Sequence, residues 1–164
     1  MVDRRAFFKK IIPSKEETSP LYLRPPYFEE LHAFEKECIN CEDKSCALAC
    51  PEKIIVIETK GTPILNFNKS GCTFCQECAI ACKKDVLKVE KEKAINAVFL
   101  INKDKCMAHN KSICFSCKEP CIEDAILFEG LFNPIIDINR CNACGFCYNR
   151  CPTNAIEFII KETE

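Results

Sequence analysis

No run of this 164-residue chain approaches the roughly 20 apolar residues that a membrane-spanning helix requires. Charge of one sign does not dominate either. The 23 basic and 24 acidic residues leave a formal net charge of −1, which points away from nucleic acid or an anionic membrane as an obligatory partner. Tryptophan is absent. A Ser-His-Asp set, a phosphate-binding loop and a nucleotide fingerprint are missing as well, so no substrate chemistry of the chain's own is expected and it is not read as an enzyme. The start is basic, Arg4-Arg5-Ala6-Phe7-Phe8-Lys9-Lys10-Ile11-Ile12, and Arg4-Arg5 is similar to a twin-arginine export signal. Pro13, Ser14, Lys15, Glu16 and Glu17 nevertheless cut off any apolar segment after it, and a secretory signal needs one. The expected location is the cytoplasm, where thiols stay reduced or bind metal.

What the chain has in excess is cysteine, 16 residues in all. They fall into four sets: Cys38, Cys41, Cys46, Cys50; Cys72, Cys75, Cys78, Cys82; Cys106, Cys114, Cys117, Cys121; and Cys141, Cys144, Cys147, Cys151. The first cysteines of successive sets lie 34, 34 and 35 positions apart, a fixed period that marks one supersecondary unit repeated. A disulfide scaffold would need export, and zinc knuckles would show paired C-x2-C units separated by a longer gap. Neither reading accounts for a third and a fourth cysteine at short, recurring spacing. The run C-x2-C-x2-C-x3-C-P does, because three thiolates from one tight loop reach three corners of a [4Fe–4S] cube while the fourth points away to a neighbouring cube.

The fourth set follows that run throughout, ending in Cys151-Pro152. The second matches at every cysteine, with Lys83 in place of the proline. The first keeps Pro51 but opens the gap between Cys41 and Cys46 to the four residues Glu42–Ser45. The third departs furthest, with the seven residues Met107–Ile113 between Cys106 and Cys114 and Ile122 after Cys121. All 16 cysteines are expected metal ligands, for four [4Fe–4S] clusters, or three if the Cys106 set is degenerate. His109 lies in the third-set insertion, as an exposed loop residue or as a substitute for Cys106. Phe74, Phe115 and Phe146 occupy similar places inside their loops, where they pack and shield the sulfurs.

Between the sets, runs of strand length are bounded by turn residues: Ile54–Ile57, Pro63–Phe67, Ala97–Ile101, Ala125–Phe128, Pro134–Ile138 and Ala155–Ile159. Lys88–Lys93 is a charge run, read as a solvated loop or a short helix. Residues 1–33 hold no cysteine but include Pro13, Pro20, Pro25 and Pro26. A short helix is expected near the start, then an extended stretch in which Leu21, Leu23, Tyr27 and Phe28 are apolar enough to bury against something. The expected class is α+β. Two tandem bacterial-ferredoxin-like modules, 34–92 and 93–164, follow an N-terminal docking arm, 1–33. Tandem pairing groups Cys38, Cys41, Cys46 with Cys82; Cys50 with Cys72, Cys75, Cys78; Cys106, Cys114, Cys117 with Cys151; and Cys121 with Cys141, Cys144, Cys147. A nested arrangement, the first set with the fourth and the second with the third, stays open. Such a chain serves as an assembly factor, as a low-potential electron carrier, or as an electron-transfer subunit of an oxidoreductase.

Two features narrow the family. Asp3-Arg4-Arg5-Ala6-Phe7 and Arg24-Pro25-Pro26-Tyr27, together with a third set opened to C-x7-C-x2-C-x3-C, resemble the NapF-type ferredoxins encoded with periplasmic nitrate reductases. The wide loop of the first set and Lys83 depart from that pattern. The resemblance implies a cytoplasmic protein that contacts the catalytic subunit of periplasmic nitrate reductase before its export and assists iron–sulfur maturation of that subunit.

Overall fold

The computed structural model describes residues 22–161, so Arg4-Arg5 and the helix expected near the start lie outside the described residues. The β-branched runs between cysteine sets pair locally, as short strands with a turn between them must. Strands β1 (Ile55–Ile57) and β2 (Pro63–Leu65) form an antiparallel hairpin with Ile55 opposite Leu65. Gly61, at φ +87, supplies the left-handed residue of its turn. The second half contains β3 (Ala97–Ile101), β4 (Ile126–Glu129), β5 (Phe132–Ile136) and β6 (Ile156–Ile160). There β4 and β5 form the matching hairpin, with a register shift between Leu127 and Glu129. β3 pairs antiparallel with β6, Ala97 opposite Ile160 and Ile101 opposite Ile156, so the first strand of this half closes on its last.

The first half repeats this closure in reduced form. Phe28 and Leu87 make one isolated antiparallel bridge, and the Lys88 N–H donates to the Tyr27 carbonyl at 2.9 Å. The two halves are thus tandem α+β modules of one design, each a hairpin held between outer segments that pair. Lys88–Lys93 is a run of turns between them.

Three short helices sit inside the cysteine sets: α1 (Ser45–Ala49), α2 (Glu77–Ile80) and α3 (Phe146–Arg150). Each is entered through a left-handed residue, Lys44 at φ 46, Gln76 at φ 68 and Gly145 at φ 81. That sharp turn reverses the chain just before the third cysteine of its set. A π-helical turn, Phe34–Cys38, leads into the first set.

Residues 22–28, placed in the arm on sequence, pack into the first module. Leu23 and Tyr27 belong to the main core, and Pro25 and Pro26 are fully buried. Arg24 is buried at 4 % exposure, and its Nη1 donates to Thr62 Oγ1 (2.6 Å) and to the Pro63 carbonyl (3.0 Å). The guanidinium also lies over the rings of Phe34 (4.8 Å) and Tyr22 (5.0 Å). Burial holds its pKa below the usual arginine value, against the upward pull of Glu35 and Glu58. Asn96 ties the same segment to the second module: its Oδ1 accepts from the Arg24 N–H (2.9 Å) and its Nδ2 donates to the Tyr22 carbonyl (3.0 Å). Its own carbonyl accepts from the Lys161 N–H at the chain's far end (2.8 Å).

One core runs through both modules. Phe67, just after β2, packs its ring 5.9 Å from that of Phe99 on β3, and Phe99 in turn meets Tyr148 and Phe158. Removing the Arg24 head leaves the Pro63 carbonyl and Thr62 without a buried charged donor, so Arg24→Met should cost roughly 2–4 kcal/mol. Anaerobic denaturant unfolding of the iron-loaded protein measures this; an unchanged midpoint would show that the network carries no stability.

Candidate metal centres

Thiols of different sets converge on shared cavities. Cys50 joins Cys72, Cys75 and Cys78 around one, walled also by Pro26 and Tyr27. Cys121 joins Cys141, Cys144 and Cys147 around a second, and Cys151 joins Cys106, Cys114 and Cys117 around a third. Cys38, Cys41, Cys46 and Cys82 remain as the fourth four. Burial foremost, then the charges of Cys46, Cys82 and Cys41, pushes the Cys38 thiol up to about 11. This is the tandem grouping, with each fourth cysteine given to the partner set.

Local backbone explains the hand-over. Cys50 and Cys151 end α1 and α3 in extended conformation, at φ −70, ψ 113 and φ −74, ψ 114. Each precedes a proline, which bars the residue before it from the helical region. The side chain therefore leaves the helix direction and faces away from its own loop. Three residues after each fourth cysteine the chain again turns left-handed, at Lys53, Asp85, Asp124 and Asn154. The N–H groups of Lys53, Asp124 and Asn154 donate back to the carbonyls of Cys50, Cys121 and Cys151. Backbone N–H groups also reach sulfur: Ala155 to Cys151 (3.1 Å), Phe74 to Cys72 (3.4 Å) and Leu87 to Cys82 (3.5 Å).

Burial pushes the thiols of Cys46, Cys72 and Cys117 to about 11 and that of Cys78 to about 12, and raises Cys147, Cys141 and Cys144. For Cys151 burial acts in the same direction, but hydrogen bonds from the Ala155 N–H and from Thr153 outweigh it and the pKa falls. A buried thiolate is costly unless positive charge shares it, and thiolate is the form that binds metal. Among the described residues no three Cys, His, Asp or Glu side chains close on a single point as one bound ion demands. The thiols instead ring cavities with apolar walls, the arrangement a thiolate-held cube of iron and sulfur fits.

The irregular sets are accommodated locally. The insertion after Cys106 folds on itself: Asn110 Nδ2 donates to the carbonyls of Lys103, Asp104 and Cys106, and the Ser112 N–H to that of Met107. Cys114 thereby returns beside Cys106, which is buried at the third cavity. His109 takes no place there; its Nε2 donates to the Pro134 carbonyl at 3.0 Å. Phe115 packs on Phe128, their ring centres 4.7 Å apart.

The two departures in the first module meet each other. Asp43, in the widened loop of the first set, pairs with Lys83, which stands where the proline would. Lys44, from the same loop, folds back to donate to the carbonyls of Cys38 and Gly61, both at 2.6 Å. Tyr27 was not singled out as a site residue, yet it walls the second-set cavity, and its hydroxyl donates to the Phe74 carbonyl (2.8 Å). Burial, then the charges of Cys72, Cys78 and Cys75, holds its pKa at about 12. Because the Asp43–Lys83 pair is exposed and the Lys83 N–H donates no backbone hydrogen bond among the described residues, Lys83→Pro should leave stability and iron content unchanged. Iron content and thermal loss of the cluster absorbance check this; loss of iron would mean that the pair holds the first-set loop closed.

Comparison with known proteins agrees with this geometry. Residues 37–86 match a 4Fe-4S dicluster domain, and residues 134–157 match a 4Fe-4S binding domain. The first match covers two cysteine sets and the second the last set. Ferredoxin-type protein NapF of Escherichia coli (strain K12) is 32 % identical over 138 residues, which is 82 % of each chain. NapF of Haemophilus influenzae is 31 % identical over 82 % of this chain and 77 % of its own. Ferredoxin-type protein NapG of E. coli is 27 % identical over 81 % of this chain and 67 % of its own. With the thiol groups, the tandem modules and these relatives together, the chain belongs to the NapF family of ferredoxin-type [4Fe–4S] proteins.

Proposed function

We propose that this chain holds four [4Fe–4S] clusters on its 16 cysteines and acts in the cytoplasm on the catalytic subunit of periplasmic nitrate reductase, assisting iron–sulfur maturation of that subunit before export. The observation that carries the cluster reading is the gathering of twelve thiols around three cavities, four to each and each four drawn from two sets. Bound clusters supply one-electron chemistry, storing an electron or releasing it. The chain's own residues fix the thiols, shield the cavities with Pro26, Tyr27 and Phe146, and direct N–H groups at Cys72, Cys82 and Cys151. Hydrogen bonds to the sulfurs and exclusion of water are the levers that set cluster potential.

The partner rests on family membership and on the Arg24-Pro25-Pro26-Tyr27 resemblance. A low-potential electron carrier, or an electron-transfer subunit of an oxidoreductase, uses the same ligands. The continuous core joining the two modules favours that reading to the extent that it holds all four thiol groups in one body.

Two measurements test the proposal. Anaerobically reconstituted protein should carry about sixteen irons per chain, and Cys106→Ala about twelve. A variant that keeps the full iron content would remove Cys106 from the ligands. A tagged chain drawn anaerobically from nitrate-grown cytoplasm should bring down the catalytic nitrate reductase subunit with its export signal uncut. Recovery of a soluble oxidoreductase in its place would transfer the function to electron carriage.

A further inference from the structure

Two glycines stand where the modules meet. A Cβ on Gly71 would lie 2.6 Å from both Cγ and N of Phe146 and 2.7 Å from the Cys144 carbonyl oxygen. A Cβ on Gly145 would lie 2.6 Å from the ring of Phe67, and Gly145 sits at φ +81, where a side chain is strained in any case. Between these glycines the Cys72 N–H donates to the Cys144 carbonyl at 2.6 Å. Cys72 opens the second set and Cys144 lies within the fourth, so this hydrogen bond between the modules joins two residues that themselves line thiol cavities.

We infer that Gly71, Gly145 and the Cys72–Cys144 hydrogen bond form an electronic junction between the modules, placing the four thiol groups in a single row. This rests on the reading that the groups hold clusters. Within each module the two groups interlock through the fourth cysteines they exchange, Cys50 in the first and Cys121 and Cys151 in the second; across the junction the Cys50 and Cys121 groups meet at Cys72 and Cys144. The row therefore runs from the Cys38 group through the Cys50 and Cys121 groups to the Cys106 group. Electron tunnelling weakens steeply with separation, and a side chain at either glycine would separate two ligand loops now in backbone contact. Exchange at the junction is balanced by itself. One electron leaves the group on one side, oxidising it by one unit, and reduces the group on the other side by one unit; no bond breaks and no proton moves.

The test compares fully reduced wild-type holoprotein with Gly71→Ala by low-temperature EPR, with iron measured on the same samples. Gly130→Ala is the control, because a Cβ there meets nothing within 4 Å. At equal iron content, Gly71→Ala is expected to lose part of the spin–spin broadening and to relax more slowly, while coupling within each module persists and Gly130→Ala matches wild type. Unchanged line shape and relaxation in Gly71→Ala at full iron would overturn the junction and leave the ligand assignment standing. Wild-type iron well below that of four clusters would overturn the ligand assignment itself. If Gly71→Ala loses iron, Phe146→Leu loosens the same contact without a backbone clash, and the same readout decides.

Discussion

The fold depends on a cysteine that must face away from its own loop. Cys50 and Cys151 are driven into extended backbone by the prolines that follow them, and their thiols reach cavities built by other sets. Once that reach is required, the two sets of a module must stand side by side, and the connection between them must be short and must return. A two-stranded hairpin meets both demands, and β1–β2 and β4–β5 are such hairpins. The left-handed residue three positions after each fourth cysteine completes the unit by redirecting the chain from the cavity into the next strand or bridge. A short chain has little apolar area with which to hold such loops together, so cluster binding and folding are expected to be one event.

Departures from the cysteine run show which parts of it are geometry and which are habit. Where Lys83 replaces the proline after Cys82, Asp43 in the widened first-set loop supplies an ion pair. Lys44 from that loop fastens it to the carbonyls of Cys38 and Gly61. Seven residues inserted after Cys106 leave that thiol in its cavity, because Asn110 bonds three carbonyls of its own loop and closes the excursion. The spacings ahead of the third cysteine thus tolerate insertion when the loop can satisfy its own backbone groups. The third and fourth cysteines keep their spacing in all four sets, because the short turn between them fixes the opposed directions of their thiols.

Much of this was legible before any coordinates. Cysteine spacing disclosed four repeats, and β-branched runs such as Ile54–Ile57 and Ala97–Ile101 marked strands to within a residue or two. Which strands pair across the module was not legible, because β3 and β6 are far apart in sequence and nothing local in Ala97–Ile101 names Ile156–Ile160 as its partner. The helices inside the sets escaped notice because four or five residues are too few to show a period. The role of Gly145 had a local signal, a glycine before a helical turn. That of Gly71 had none, since its crowding comes from Phe146, distant in the chain.

The segment Arg24-Pro25-Pro26-Tyr27 is built into the interior of the fold. Read along the sequence it looked like part of an arm offered to a partner. In the fold its arginine is enclosed by Thr62, Pro63 and two aromatic rings, its prolines are fully buried, and its tyrosine walls a thiol cavity. Each of these residues has a role internal to the protein. Arginine fits because its planar guanidinium lies over two rings while Nη1 donates to a hydroxyl and a carbonyl, a stacking that lysine's point charge lacks. The prolines carry no N–H to leave unsatisfied in the interior, and tyrosine fills apolar space while its hydroxyl finds the Phe74 carbonyl. Through Pro26 and Tyr27 the segment walls the second-set cavity, and through Arg24 it fastens the start of β2.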